Sequence, residues 1–396
     1  MAKLAKDIYI VAPVRTPIGR FGGTLSHLTA VDLGVHSVKA TLDRARIDVA
    51  AVDELMFGNA RQGGVGPNPA RQIAWRSGLP QEVPAHTMNQ ACGSGMRTII
   101  NASNEITLGN ARVVIAGGTE SMSNTPYMLP RARWGYRMGT AEVIDGMYRD
   151  GFHCPLADVL MGATAENLAE MYGISRDEQD EYAVETQRRA KIAWESGWFG
   201  PEVVPVEIES KKGPTLFERD EHPRFDSTVE AMRKLPAVFR TNGTVHAGNS
   251  SGITDGASSM IVASAEAVRE HGLTPMARIV GYAQAGVDPK IMGIGPVPAT
   301  RRLLADTGVG LADIDLIELN EAFAAQVIAC DRELRFDRDR LNVHGGAISL
   351  GHPIGCSGAR ITTTLIHALH ARKKRLGLAT LCISGGMGLA MLFEKC

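Results

Sequence analysis

Long apolar runs are missing: no window approaches the ~18 consecutive apolar residues of a membrane-spanning helix, so nothing points to a bilayer. An excess of either charge is missing too. Lys and Arg number 42 against 43 Asp and Glu, with no dense run of either sign. That balance leaves no field for gripping nucleic acid or an acidic membrane, so any anionic ligand must be held locally. Paired cysteines are absent as well, since the six at positions 92, 154, 330, 356, 382 and 396 show no CxxC spacing. In a chain this long they argue against a disulfide scaffold and for reduced thiols, and no metal site is expected. The N-terminus, Met-Ala-Lys-Leu-Ala-Lys, lacks an apolar h-region, and Phe-Glu-Lys-Cys at the C-terminus is neither a peroxisomal tripeptide nor a prenylation box. The expectation is a soluble cytoplasmic protein without nucleic-acid or membrane partners. What is plentiful is glycine, 43 of 396 residues. It falls in short clusters, which mark places where backbone must come close to something.

At 396 residues the chain exceeds one ordinary core, and two or three packed domains are expected. Strand-like and helix-like segments alternate. Asp7–Val11, Glu54–Phe57 and Arg112–Ala116 read as strands between helical patterns at Val31–Ala45 and Gly95–Leu108. The rhythm returns with strands at Arg278–Tyr282, Asp315–Glu318 and Leu378–Ile383 and helices at Ala299–Thr307 and Gly358–His370. This is an α/β signature. Val52-Asp53-Glu54-Leu55 parallels Ile314-Asp315-Leu316-Ile317, and Ser94-Gly95-Met96-Arg97 parallels Ser357-Gly358-Ala359-Arg360, at offsets of 262 and 263 residues. A near-constant offset implies two copies of one α/β unit. The expected division is an N-terminal half at 1–121, completed by about 250–272, an inserted loop domain at 122–249, and a C-terminal half at 273–396. Within the insertion, Gly162–Trp194 has one long amphipathic helical pattern.

Four segments can carry chemistry. In Asn89-Gln90-Ala91-Cys92-Gly93-Ser94-Gly95 an extended stretch turns at glycines and starts a helix, placing Cys92 at its N-terminus, where the helix dipole favours a thiolate. A packed core cysteine is the bland alternative. Gly351-His352-Pro353 stands in the symmetry-related turn, and an imidazole with a pKa near ~6.5 suits proton exchange with a thiol. A surface loop histidine is its alternative. Leu381-Cys382-Ile383-Ser384-Gly385-Gly386 ends a strand on a second thiol, an acid or base or merely a small core residue. Asn320-Glu321-Ala322-Phe323 follows a buried-looking strand at the carboxyl end, where α/β ligands bind, although Asn is also an ordinary helix cap. The small-residue loop Ala247–Gly252 suits backbone approach to a narrow ligand, or a flexible turn.

Taken in order, from Val14-Arg15-Thr16-Pro17-Ile18-Gly19 to the last strand, these segments resemble the thiolase family over essentially the whole chain. The resemblance implies a five-layer αβαβα fold of two repeated α/β halves with an inserted loop domain. It implies a ping-pong Claisen condensation of two acetyl-CoA to acetoacetyl-CoA and CoA, or the reverse cleavage. Cys92 would be the acylated nucleophile and His352 the base that draws off its proton. Asn320, through a water, would complete an oxyanion hole with His352. Cys382 would move the α-proton, and the N–H groups of Cys92 and Ser384 would form a second oxyanion hole. Met161, Arg224, Phe239, Ser251, Ala322 and Phe323 would line the CoA path, with Arg224 set among Lys211, Lys212 and Arg219. CoA thioesters are substrates in this scheme and no cofactor is required. The segment Tyr127–Met138 resembles the family's tetramerisation loop and implies a homotetramer, a dimer of dimers.

Three departures from the family pattern stand out. His344 replaces a second Asn, which bears on the loop's hydrogen bonding and on the orientation of His352. Ser384 replaces a Gly, so its backbone donor depends on a φ/ψ that tolerates a side chain. Leu160 stands where short-chain relatives carry His, which implies a more apolar acyl pocket. The alternatives are a degradative 3-ketoacyl-CoA thiolase of broader chain length and an inactive acyl-CoA binding protein. A decarboxylating ketosynthase would carry Cys-His-His or Cys-His-Asn rather than a second catalytic thiol.

Overall fold

The structure, a computed structural model, describes residues 6–209 and 213–396. The N-terminal run 1–5 and the pair Lys211 and Lys212 lie outside the described residues. One mixed sheet of ten strands runs through the molecule. Its main strands are β1 (Ile8–Arg15), β2 (Glu54–Gly58), β3 (Ala85–Met88), β4 (Val113–Ser121), β5 (Thr254–Ser264), β6 (Pro275–Gly286), β7 (Leu316–Leu319), β8 (Leu376–Ile383) and β9 (Met387–Lys395). Their order is β7-β8-β9-β6-β1-β5-β4-β2-β3, and the two-residue strand Gly19–Arg20 pairs with β5. The repeat is visible in this order: β2-β4-β5-β1 on one side answers β7-β8-β9-β6 on the other. In each, the first pair is parallel and the rest antiparallel. The halves join where β1 meets β6, Ile10 opposite Ala277.

Helices stack on both sides of each half. α1 (Ala30–Ala45) starts from a capping box between Thr29 and Asp32 and covers the outer face of the first half with Val31, Val35, Val38 and Leu42. Between the halves lie α2 (Ser94–Leu108) and α7 (Ile354–Ala371). Met96, Ile99 and Ile100 of α2 and Ile361, Leu365 and Ile366 of α7 share one apolar cluster with strand residues of both halves. α7 is buried through Leu369, and its polar residues Arg360, Thr364 and His367 are buried with it. A further cluster, with α5 (Pro296–Thr307) and α6 (Ala324–Leu334), covers the outer face of the second half. Helix, sheet, helix, sheet and helix make five layers.

Glycines set the spacing of the middle layer. A Cβ at Gly95 would sit 2.8 Å from the Ala359 nitrogen, and one at Gly58 would sit 2.7 Å from the Gly95 nitrogen. Side chains at Gly118 and Gly358 would strike the Gly355 carbonyl and the Met96 backbone. The N-terminal turns of α2 and α7 therefore touch through backbone, which brings the Cys92 and His352 turns together.

The chain between β4 and β5 leaves this body in short hairpins and two principal helices. The single helix expected over Gly162–Trp194 is two: α3 (Met161–Tyr172) stops at Gly173, φ 61°, and α4 (Arg176–Glu195) restarts from a Ser175 cap. The left-handed glycine and the serine cap mark the break. No helix among the described residues is long and apolar enough to cross a membrane.

Candidate active site

Cys92 lies two positions before α2, in a turn made by hydrogen bonds from the Gly93 and Ser94 N–H groups to the Gln90 and Ala91 carbonyls. Ala91 is held at φ 45°, a left-handed conformation uncommon for a residue with a Cβ, and its N–H donates to Asn89 Oδ1. Asn89 Nδ2 in turn donates to the Ala60 carbonyl at 3.2 Å. This strained turn presents a half-buried thiol. Burial raises the thiol's pKa, against the N–H of Ser384, the charge of Arg61 and the thiol's own N–H, while Glu120 raises it further. The backbone N–H groups act in the direction expected of a helix start, but burial is the larger effect on the thiol.

His352 stands in the turn before α7. It is buried, and its backbone N–H donates to the Gly252 carbonyl. Ser357 Oγ donates to the Pro353 carbonyl at 3.0 Å, so it accepts from His352 Nδ1–H at 2.5 Å. That assignment leaves Nε2 as an acceptor. Burial first, then Arg360 and Arg61, lower the imidazole pKa to about 3. The unperturbed value expected from sequence does not survive burial: the ring is neutral at rest and able to accept a proton. Asn320 is buried at the end of β7, with Nδ2 3.5 Å from His352 Nε2 and Oδ1 without a partner. The long contact and the orphaned oxygen leave capacity for a bridging water.

Cys382 stands at the end of β8, fully buried, with Met292 and Ala322 beside it and Met161 and Phe323 packed against them. Burial, then charge on Cys92 and on Cys330, holds its pKa well above the ordinary thiol range. The next turn takes its left-handed residues at Gly385 and Gly386, φ 86° and 85°. Ser384 has no positive φ, so its side chain costs nothing and its N–H stays directed at Cys92.

A cavity of about 480 Å³ leads in from the surface between the insertion and the body. Its walls include Met161, Arg224, Phe239, Ser251 and Phe323, five of the six residues expected on the CoA path. Ala322, the sixth, is buried behind them and accepts from the Ser251 N–H. Leu160, Tyr148, Phe152 and Val238 make the wall apolar, and Arg20 and His222 stand with Arg224. Arg219 is not part of it, since its guanidinium lies over the Trp194 ring. His344 is also elsewhere. It stacks on Trp198 at 4.8 Å, with Arg372 Nε 3.4 Å from its Nε2, so its ring plays no part in orienting His352.

Three residues here were not singled out from sequence: Ser357, Glu120 and Arg61. Glu120 is buried and its carboxylate accepts from Asn59 Nδ2 and from the N–H groups of Ala60, Arg61 and Gly355. It ties the loop after β2 to the start of α7. A buried acid one residue from a strand's end, in a glycine-rich context, was the available signal. Among the described residues no group of three or more His, Cys, Asp or Glu is placed to hold a metal ion.

Two repeated α/β halves around a shared helix pair, with two thiols, an imidazole and an amide gathered at one end, describe a thiol-bearing α/β enzyme fold. The family models for the thiolase N-terminal domain and the thiolase C-terminal domain match residues 8–266 and 273–395. The chain belongs to the thiolase family. It is 51% identical to an acetyl-CoA acetyltransferase of Escherichia coli over 98% of this chain and 99% of that one. It is 49% identical to one of Pseudomonas aeruginosa, over 98% and 100%. Among solved structures, the Bacillus anthracis acetyl-CoA acetyltransferase superposes with a TM-score of 0.97 at 45% identity, covering 99% of both chains. Human mitochondrial 3-ketoacyl-CoA thiolase in complex with CoA superposes with a TM-score of 0.96 at 43% identity, over 100% of this chain and 99% of that one.

Proposed function

We propose that this thiolase is an acetyl-CoA acetyltransferase, joining two acetyl-CoA into acetoacetyl-CoA and CoA and catalysing the reverse cleavage. Its relatives of that name cover nearly the full chain at about half identity. The observation that carries the chemistry is the Cys92 thiol with the Ser384 N–H directed at it and a buried, neutral His352 fixed by Ser357.

In the first half-reaction His352 Nε2 takes the Cys92 proton and Sγ attacks the acetyl thioester. The N–H groups of Cys92 and Ser384 hold the tetrahedral oxyanion, each donor contributing about 3 kcal/mol. CoA leaves with the proton returned by His352. In the second, Cys382 in its thiolate form removes the α-proton of a new acetyl-CoA, the enolate oxygen rests against His352 and an Asn320-held water, and the enolate carbon attacks the acetyl-Cys92 carbonyl. The acyl C–Sγ bond then breaks, acetoacetyl-CoA leaves, and the proton taken up by Cys382 passes to the Cys92 thiolate. In cleavage the burial of Cys382 keeps it a thiol, ready to protonate the departing acetyl-CoA carbanion. CoA would run along the cavity wall, its phosphates near Arg224 and Arg20. No prosthetic group is needed. Six unpaired cysteines suit a reducing cytoplasm. A tetramer would bury the projecting Trp134 and Met138, 84% and 97% exposed in the single chain.

Mass spectrometry of the protein mixed with acetyl-CoA tests the scheme. An adduct of about 42 Da, one acetyl group, is expected on Cys92, lost in Cys92→Ala and kept in Cys382→Ala. No adduct on Cys92 overturns it. A clear preference for long 3-ketoacyl-CoA over acetoacetyl-CoA in steady-state cleavage would transfer the assignment to a degradative thiolase, the reading that the apolar Leu160 wall favours.

A further inference from the structure

One buried charge has no part in the scheme above. Arg61 follows β2 in the run Gly58-Asn59-Ala60-Arg61 and is 6% exposed. Its Nη1 donates to the Asp150 carbonyl at 3.0 Å, its guanidinium lies 5.7 Å from the centre of the Phe152 ring, and its Nε is buried without a partner. It makes no ion pair among the described residues. Glu120 takes the Arg61 backbone N–H, and its buried carboxylate, bonded also to Asn59, Ala60 and Gly355, feels the Arg61 charge. A guanidinium cannot shed its proton, so its charge acts on every group close to it.

Cys92 is a second group that feels this charge. The loop of Arg61 is bonded to the loop of Cys92 twice: the Asn59 N–H donates to the Met88 carbonyl at 3.0 Å, and Asn89 Nδ2 donates to the Ala60 carbonyl. Ala60, before the arginine, and Phe152, beneath its guanidinium, belong to the apolar cluster against which Cys92 packs. We propose that Arg61 is the electrostatic partner of Cys92, a fixed positive charge that stabilises the thiolate formed when the proton passes from Sγ to His352 Nε2. The same charge disfavours imidazolium on His352 and so promotes return of the proton to the departing CoA sulfur. Arg61 itself neither gains nor loses a proton. The other groups acting on the thiol are Glu120, which opposes the thiolate, the Ser384 N–H, which favours it, and Cys382, whose own ionisation is coupled to it.

The proposal rests on Cys92 being the nucleophile, and its test is separable from that reading. The full chain is alkylated with iodoacetamide across a pH series, and modification of the Cys92 peptide is scored apart from that of the exposed Cys396. Arg61→Gln keeps a donor for the Asp150 carbonyl and should raise the Cys92 midpoint by about one pH unit, slowing alkylation near neutrality about tenfold. Arg61→Lys should restore most of the shift. If Arg61→Gln does not fold, Arg61→Met preserves the contact with Phe152 and carries the same expectation. An unshifted midpoint in a folded Gln or Met variant overturns the role of Arg61. Absence of the acetyl adduct on the unaltered protein overturns instead the thiolase scheme.

Discussion

The two histidines that the sequence set side by side, His344 and His352, meet the same physics and serve different ends. Burial lowers both to about 3, helped at His344 by Arg372 and His367 and at His352 by Arg360 and Arg61. A histidine whose folded pKa lies below its unfolded ~6.5 contributes stability that is present above that value and lost as pH falls towards the folded one. The protein should therefore become acid-labile below about pH 6.5. His344→Asn, which removes one of the two groups, should lower the melting temperature at pH 7.5 through the lost Trp198 stack but make its fall between pH 6.5 and 4 shallower. Parallel thermal melts decide it; an equally steep fall would show that His344 does not titrate as a buried neutral ring. His344 was legible as a departure in sequence, but its consequence was not. Whether it touches His352 depends on which way residues 342–351 turn, and Trp198, far off in sequence, fixes its ring.

Helix termini decide where the thiol and the imidazole stand. The central helices α2 and α7 have no side-chain cap at their first turns, and α7 is capped from the other half by Glu120 through the Gly355 N–H. Their approach requires hydrogen at the Cβ position. Gly358→Ala should push α7 off the Met96 backbone, destabilise the fold by about 1–3 kcal/mol, and slow acetylation of Cys92 more than its stability loss explains. Chemical denaturation with single-turnover acetylation checks both, and an unchanged midpoint and rate would show that the helices can part freely. The repeat Ser-Gly-Met-Arg and Ser-Gly-Ala-Arg announced these two turns as counterparts. That they touch follows from the β1–β6 pairing and the five-layer stacking, which no four-residue match contains.

At the scale of the whole molecule, the excursion between the short strands Tyr127–Met128 and Ile144–Asp145 leaves Leu129, Trp134 and Met138 in solvent. Combined Trp134→Glu and Met138→Glu substitutions should split the proposed tetramer into dimers, halving the mass seen by light scattering, while Cys92 still takes up acetyl. An unchanged mass would place the subunit contact elsewhere.

Local pattern was enough for the alternation of strands and helices, the duplicated unit and the four chemical segments. Each depends on periodicity, turn chemistry or a short motif carried by neighbouring residues. The protonation states, the contact of Asn320 with His352 Nε2, the burial of Arg61 and the break at Gly173 came only with the folded chain. They depend on burial and on partners far away in sequence: Ser357 and Asn320 for His352, Asp150 and Phe152 for Arg61. The electrostatic environment of a group is set by what surrounds it in space, and a linear string of residues does not hold that information in any local form.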